Sequence, residues 1–261
     1  YREKIKLSNI SDIPHAYLPG KSIKTNASFH TSSEIIQFDF KGFYDSCKFE
    51  YFIQDLIKLD PSINESNWHL IKRLLIDPKT GGLTQGLPVS GALAGLCLVP
   101  FWVELRQSLS ENIIFTQYSD DLTFSYTGRK PANFSIQDLT GVIQEALRKS
   151  NLSFRLNINK TRIEKNQYRK ITGVRINHKN QMTPSRKDYR FLRNAFYILS
   201  KSEDLEKELH MWGFKSKSAF VGKISYMRSI DDTNKINNLI NQYKTTCLKH
   251  GLFTSWLSEC G

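Results

Sequence analysis

Apolar residues in this chain fall into runs of two periods. Between Glu34 and Phe40, the residues Ile35, Ile36, Phe38 and Phe40 surround a single Asp39, and the stretch predicts a strand. Ile113-Ile114-Phe115 and Leu122-Thr123-Phe124 predict two more, joined by a tight turn at Tyr118-Ser119-Asp120-Asp121. Helical spacing predicts Ser46–Leu59, then Ser66–Ile76, which the pair Asp77-Pro78 should terminate. A long apolar helix runs from Ser90 to Leu109, with Ser90 as its expected cap. Ser135–Lys149 is amphipathic, with Ile136, Leu139, Val142, Ile143, Ala146 and Leu147 on one side. Leu152-Ser153-Phe154 reads as a short strand and Tyr168–Asn177 as a hairpin. From Pro184 the pattern is helical: Asp188–Ser200, Leu205–Trp212, Ala219–Arg228 and Lys235–His250. Residues 1–18 are expected to hold the end of a helix and a loop. The order predicts an α+β protein in which distant strands meet in one antiparallel sheet, a split β-α-β arrangement, followed by helices.

Charge sharpens this picture. Residues 1–150 carry 16 basic and 16 acidic side chains, whereas residues 151–261 carry 21 and 9, so the net charge of +12 belongs to the C-terminal part. That asymmetry suits a polyanion-binding lobe, although a solvated basic surface has the same composition. At 261 residues the chain can form one large domain or two lobes. Cys47, Cys97, Cys247 and Cys260 lack metal-ligand spacing and read as reduced thiols of a cytoplasmic protein. The apolar run Gly91–Val103 is cut by Glu104 and Arg106 well short of a span of about 20 residues, so a buried helix and no membrane contact are expected. No signal peptide is evident, and a chain that begins at Tyr1 is expected to start inside a longer protein.

The candidate chemistry lies in the carboxylates. An acid inside an apolar strand is costly to bury unless it is paired or binds a metal, which singles out Asp39. Adjacent side chains on a strand point to opposite faces, so Asp120 and Asp121 serve one site only if the turn redirects one of them. By itself Asp-Asp also suits an ordinary surface hairpin. Taken with Asp39 it supplies the three carboxylates that a pair of Mg²⁺ ions about 4 Å apart requires. In Gln85-Gly86-Leu87-Pro88-Val89-Ser90, Gly86 would let backbone approach a nucleotide and Pro88 would stiffen the loop. Lys160, in Asn157-Ile158-Asn159-Lys160-Thr161, is a candidate proton donor, although a solvated lysine is the default reading of the residue by itself. The segment from Gly20 to His30 is basic and polar, either a surface loop or a nucleic-acid contact.

Together these motifs resemble those of reverse transcriptases, in particular bacterial ones of retron type. Asp39 with Phe43 and Tyr44, Gln85 to Ser90, Tyr118 to Asp121, and Asn159-Lys160-Thr161 fit four palm motifs in the family's order. Asn26-Ala27-Ser28-Phe29-His30 fits the retron Asn-Ala-x-x-His signature, and Ile171-Thr172-Gly173 resembles its Val-Thr-Gly. Gly91 stands where proline is usual, and Ser119 where alanine is common. The resemblance covers about Gly20 to Gly251 and implies a right-hand polymerase palm over 34–181 and a basic helical thumb over 182–261. Residues 1–33 would be a remnant of the fingers, the rest of which is expected to precede Tyr1.

The implied activity is copying of a structured non-coding RNA into DNA, in a role such as anti-phage defence. Template RNA, primer or product DNA and dNTPs are the implied partners, with an effector or toxin protein besides. Asp39, Asp120 and Asp121 would hold two Mg²⁺ ions, with Mn²⁺ able to substitute, and Lys160 would protonate pyrophosphate. Tyr44 would collide with a 2′-hydroxyl, Phe40, Gln85 and Gly86 would meet the nucleotide and templating pair, and Tyr118 would support the primer end. Asn26, His30, Thr172 and Gly173 would contact RNA. Tyr189, Tyr197, Trp212 and Tyr226 are expected to divide between thumb core and stacking surface, more of them core. An RNA-copying RNA polymerase shares the palm but normally has an acid where this chain has Tyr44. An abortive-infection-type polymerase, template-independent or protein-primed, and a non-catalytic RNA-binding palm are the other readings.

Overall fold

The computed structural model describes residues 10–165 and 168–252, and the chain divides into two compact units, Tyr1–Gly173 and Val174–Gly261. Most of the expected N-terminal helix end and Cys260 lie outside the described residues.

In the first unit, α1 (Ile23–Ser28) starts at Ser22, whose hydroxyl accepts the Thr25 N–H while Thr25 Oγ1 accepts the Ser22 N–H. Strand β1 (Glu34–Lys41) leads to the four-residue helix α2 (Phe43–Ser46), a 3₁₀ turn at Phe49–Tyr51, and helices α3 (Ile53–Leu59) and α4 (Glu65–Leu75). The single helix expected over Ser46–Leu59 is therefore broken. On one straight helix, Phe43 and Cys47 would face away from Phe49 and Phe52, yet all four are buried, so the chain has to turn at Cys47.

Helix α5 (Ser90–Ser108) is apolar on all sides as far as Val103 and accordingly runs through the core. Its cap residue is Val89, and the Ser90 hydroxyl donates to the Thr84 carbonyl instead, at 2.6 Å. Strands β2 (Ile113–Tyr118) and β3 (Asp121–Tyr126) form the expected hairpin, and α6 (Ile136–Lys149) follows. The next strand, β4, is Arg155–Leu156 rather than 152–154, because the end of α6 winds on through Asn151 until the Leu152 N–H reaches the Leu147 carbonyl. A 3₁₀ turn at Ile158–Lys160, β5 (Arg162–Lys165) and β6 (Arg169–Ile171) complete the unit.

The sheet runs β2-β3-β1-β4, with β5 also paired to β1. Strand β1 is central and antiparallel to its partners, with Asp39 opposite Asp121. Its core side is aromatic: the Phe40 ring lies 5.3 Å from that of Phe154 and 5.9 Å from that of Phe101. This is the α+β arrangement expected, distant strands joined in one antiparallel sheet under packed helices.

In the second unit, β7 (Val174–Ile176) pairs with β8 (Met182–Thr183) and helices follow: α7 (Arg186–Lys201), α8 (Leu205–Met211), α9 (Lys217–Ser229), α10 (Lys235–Gln242) and α11 (Lys244–Lys249). The expected helix Lys235–His250 divides at Tyr243. Ile236, Leu239, Ile240 and Cys247 stay in phase across the break, so periodicity could not show it. Leu192, Phe196, Phe220, Ile224 and Leu239 form this unit's core. Tyr189 and Trp212 pack on that core and Tyr197 and Tyr226 are exposed, an even division rather than a mostly buried set. Among the described residues, Cys47, Cys97 and Cys247 are free, buried thiols, and no helix is long and apolar enough to cross a membrane.

Candidate active site

The β2–β3 hairpin and the end of β1 bring the acids together. Tyr118 pairs with Asp121 across the hairpin, leaving Ser119 and Asp120 as the two-residue turn, with Ser119 at φ 56°. Asp121 stands opposite Asp39 in register, which sets both on one face of the sheet. The Asp120 carbonyl accepts the Phe40 N–H at 3.0 Å, and its carboxyl lies within hydrogen-bonding reach of Asp39. Three acids distant in sequence thus converge because a turn redirects Asp120 and a register pairs its neighbour.

Asp39 is buried, only 6% exposed, and each of its oxygens has a partner. Lys160 Nζ lies 3.0 Å from Oδ2, Asn157 Nδ2 donates to Oδ1 at 3.2 Å, and the Asn157 N–H donates to the Asp39 carbonyl at 2.7 Å. Burial pushes the Asp120 carboxyl above the usual range, and the Asp39 charge beside it adds to the effect. Asp121 is pushed up to about 6, by burial first and then by Asp120. The Asp39 hydrogen bond and the surrounding acids hold the Lys160 ammonium above its ordinary range. Three acids therefore face two cations, Lys160 and, beside Asp121, Arg162, and the carboxyls outnumber them.

That imbalance, with oxygen donors alone, fits a hard divalent cation. Among the described residues no group of three or more His, Cys, Asp or Glu side chains is placed so that it could by itself hold a metal ion. Mg²⁺ does not need one, since it commonly takes one or two carboxylates and completes its shell with water and phosphate.

A cavity of about 550 Å³ opens beside the acids, walled in part by Asp39, Asp120, Lys160, Tyr44, Gln85 and Gly86. Gly86 has φ 95°, which lets the loop turn its backbone toward this space. The Leu83 N–H donates to the Tyr44 carbonyl at 2.9 Å, tying the start of the Gln-Gly loop to α2. Tyr118, half-buried at the end of β2, is not part of this wall.

Three residues expected at contacts are buried in the structure. Alternation along β1 turns the Phe40 ring away from Asp39 into the core, although Phe40 is also among the residues that line the cavity. Asn26 and His30 are each 0% exposed, so neither side chain is available to RNA. His30 Nε2 lies 2.7 Å from Thr116 Oγ1 and Nδ1 2.7 Å from Ser125 Oγ. Thr116 gives its proton to Asn26 Oδ1 at 2.6 Å, so it accepts from His30, which assigns the Nε2–H tautomer. Asn26 Nδ2 donates to Thr172 Oγ1 at 3.3 Å, joining the two retron-like signatures inside the protein. Thr172 is half-buried and Gly173 exposed, at a turn where both have positive φ.

Sequence reasoning missed Asn157, Tyr17 and Ser119. Asn157 lies in the stretch that carries Lys160, but nothing in its spacing shows that β4 brings it under Asp39.

The sequence matches the family described as reverse transcriptase (RNA-dependent DNA polymerase) over residues 3–176. Retron Ec83 reverse transcriptase of Escherichia coli is 26% identical over 204 residues, covering 73% of this chain and 63% of the relative. Retron Mx162 reverse transcriptase of Myxococcus xanthus is 25% identical over 241 residues, covering 79% and 48%. Retron Mx65 reverse transcriptase of the same organism is 26% identical, covering 76% and 48%. The chain thus spans about half to two thirds of the length of these curated relatives, and they bear out the resemblance to the retron type. Among solved structures, telomerase from Candida albicans in complex with a TWJ fragment of telomeric RNA aligns with TM-score 0.44 and 13% identity, over 86% of this chain and 48% of that one, a likeness too low to bear on function. With a family match over two thirds of its length, running through the hairpin that carries the acids, the chain belongs to the reverse transcriptase family.

Proposed function

We propose that this chain is the polymerising part of a retron-type enzyme that copies RNA into DNA, with nucleotide addition at Asp39, Asp120 and Asp121. The observation that carries the reading is the register of Asp39 against Asp121 with Asp120 at the adjoining turn, beside a cavity large enough for a nucleotide. Asp39 and Asp120 would hold divalent ions, with Asp121 as the third donor. When bound, such ions would acidify the primer hydroxyl and neutralise charge on the leaving phosphate oxygens.

Lys160 Nζ stays protonated at neutral pH and tethers Asp39 before substrate arrives, and from the cavity wall it would give its proton to departing pyrophosphate. Asn157 fixes the orientation of the Asp39 carboxylate. Tyr44 occupies the wall where a sugar would lie and would exclude a 2′-hydroxyl, while Gln85 and the backbone of Gly86 would face the base pair. A structured RNA as cognate template is the finer part of the reading, supported by the names of the retron relatives. Thr172 and Gly173 remain the candidate contacts to it.

The test is primer extension with Asp120→Asn. Nucleotide addition is expected to fall by about 10²- to 10³-fold, the scale of losing a group that acts on transition-state charge, with RNA binding retained. Persistent extension would remove this site from the mechanism. Equal extension with template RNA omitted would replace copying by template-independent synthesis.

A further inference from the structure

Tyr17 has no part in the reading above, yet its side chain reaches into the same cavity. The segment before it runs beside β2, where the Gln117 N–H donates to the Ile13 carbonyl at 2.8 Å and the His15 N–H to the Gln117 carbonyl at 2.9 Å. Tyr17 itself has φ 60°, a conformation that L side chains rarely adopt, so its surroundings determine its placement. Its ring rests on Gly91: a Cβ there would fall 2.5 Å from the ring carbons. Its hydroxyl lies 2.8 Å from that of Tyr44 and 3.1 Å from Ser119 Oγ. Ser119 is anchored in turn, its carbonyl accepting from Gln117 Nε2 at 2.7 Å, while Gln117 Oε1 accepts from Trp102 Nε1 at 2.6 Å.

Two residues at which this chain departs from the family pattern therefore meet at one tyrosine. Gly91 leaves room for the ring and Ser119 offers a hydroxyl to its tip.

We propose that Tyr17 is a positioning residue for sugar selection, holding the Tyr44 ring by its hydroxyl so that it cannot swing aside for a ribonucleotide. The proposal rests on the reading of Tyr44 as the group that excludes a 2′-hydroxyl. Tyr44 stands on the four-residue helix α2, where the tip of the ring is the point its own backbone fixes least. Steric selection is only as strict as that tip is still, and the Tyr17 hydroxyl bonds it there.

The measurement is kcat/KM for matched dNTP and rNTP addition by the full-length protein. Tyr17→Phe keeps the ring on Gly91 and removes the hydroxyl. Discrimination against the ribonucleotide is expected to fall roughly three- to ten-fold, the worth of one hydrogen bond, with the thermal midpoint kept. Unchanged discrimination in Tyr17→Phe, alongside relaxed discrimination in Tyr44→Ala, would overturn the proposal and leave the reading of Tyr44 standing. Unchanged discrimination in Tyr44→Ala would overturn both. Gly91→Ala tests the seat of the ring: alone it is expected to lower both discrimination and thermal midpoint, and Tyr17→Gly in the same chain is expected to restore the midpoint because the clash is gone. Additive losses in the double variant would show that the ring does not rest on Gly91, against the proposal.

Discussion

At the scale of single residues, the clearest result is that a polar motif can be structural. His30 and Asn26 read as surface chemistry in a linear sequence, but in the fold their polar atoms bond through Thr116 beneath the sheet. Burial pushes His30 down to about 3, with the nearby His15 and Arg169 adding to the effect, and burial likewise pushes His15 down to about 4. Unfolded histidine takes up a proton near 6.5, whereas these two remain neutral in the folded protein until far lower pH. The unfolded state therefore binds more protons between about 6.5 and 4, and stability falls as pH drops through that window. The expected slope approaches about 1.4 kcal/mol per pH unit per histidine, and above pH 7 it vanishes. Denaturant midpoints at graded pH check this, and His30→Gln, which takes no proton, is expected to flatten the acid limb. An acid limb of the same slope in that variant would place the proton uptake elsewhere.

At the scale of elements, hydrophobic period was a dependable guide where one face of a segment is buried and a poor one where the chain must serve two. Helices α4, α6 and α7 lie within two residues of their expected ends, since each presents a single apolar side, and β1 does so as a short apolar run buried on both faces. The broken region Phe43–Leu59 shows the opposite case, since its aromatics could reach the core only by bending the chain. Helix ends follow local chemistry: Ser185 Oγ accepts the Asp188 N–H at 3.0 Å at the start of α7 and donates to Asp188 Oδ2 at 2.6 Å. Ser185→Ala is expected to cost about 1 kcal/mol of stability, measured by chemical denaturation. A loss below a few tenths would mean that Asp188, also bonded to Lys223, stabilises the helix start without the cap.

At the scale of the molecule, charge and core are distributed independently. Each unit has its own apolar centre, yet the basic surplus begins at the strands around 155–170 of the first unit and continues through the helices of the second. Binding of RNA to the whole chain is expected to weaken steeply with salt, with a log–log slope near −0.7 for each phosphate contacted. A footprint of about six phosphates predicts a loss on the order of 10² to 10³ between 50 and 200 mM salt. A flat response, read by filter binding or anisotropy, would mean that the basic surface does not carry the backbone of the nucleic acid.

By itself the sequence determined most of the element types, the fold class, the three candidate acids and the family, because these depend on period, residue chemistry and motif order, all local in the chain. The tertiary structure alone decided that Asp121 faces Asp39, that Asn157 and Lys160 satisfy a buried carboxylate, that Phe40, Asn26 and His30 turn inward, and that Tyr17 meets Tyr44. Strand register and loop packing set those pairings between residues tens of positions apart. A side chain's partner is fixed by where the core forces the backbone to pass, and no pattern within either segment encodes that path.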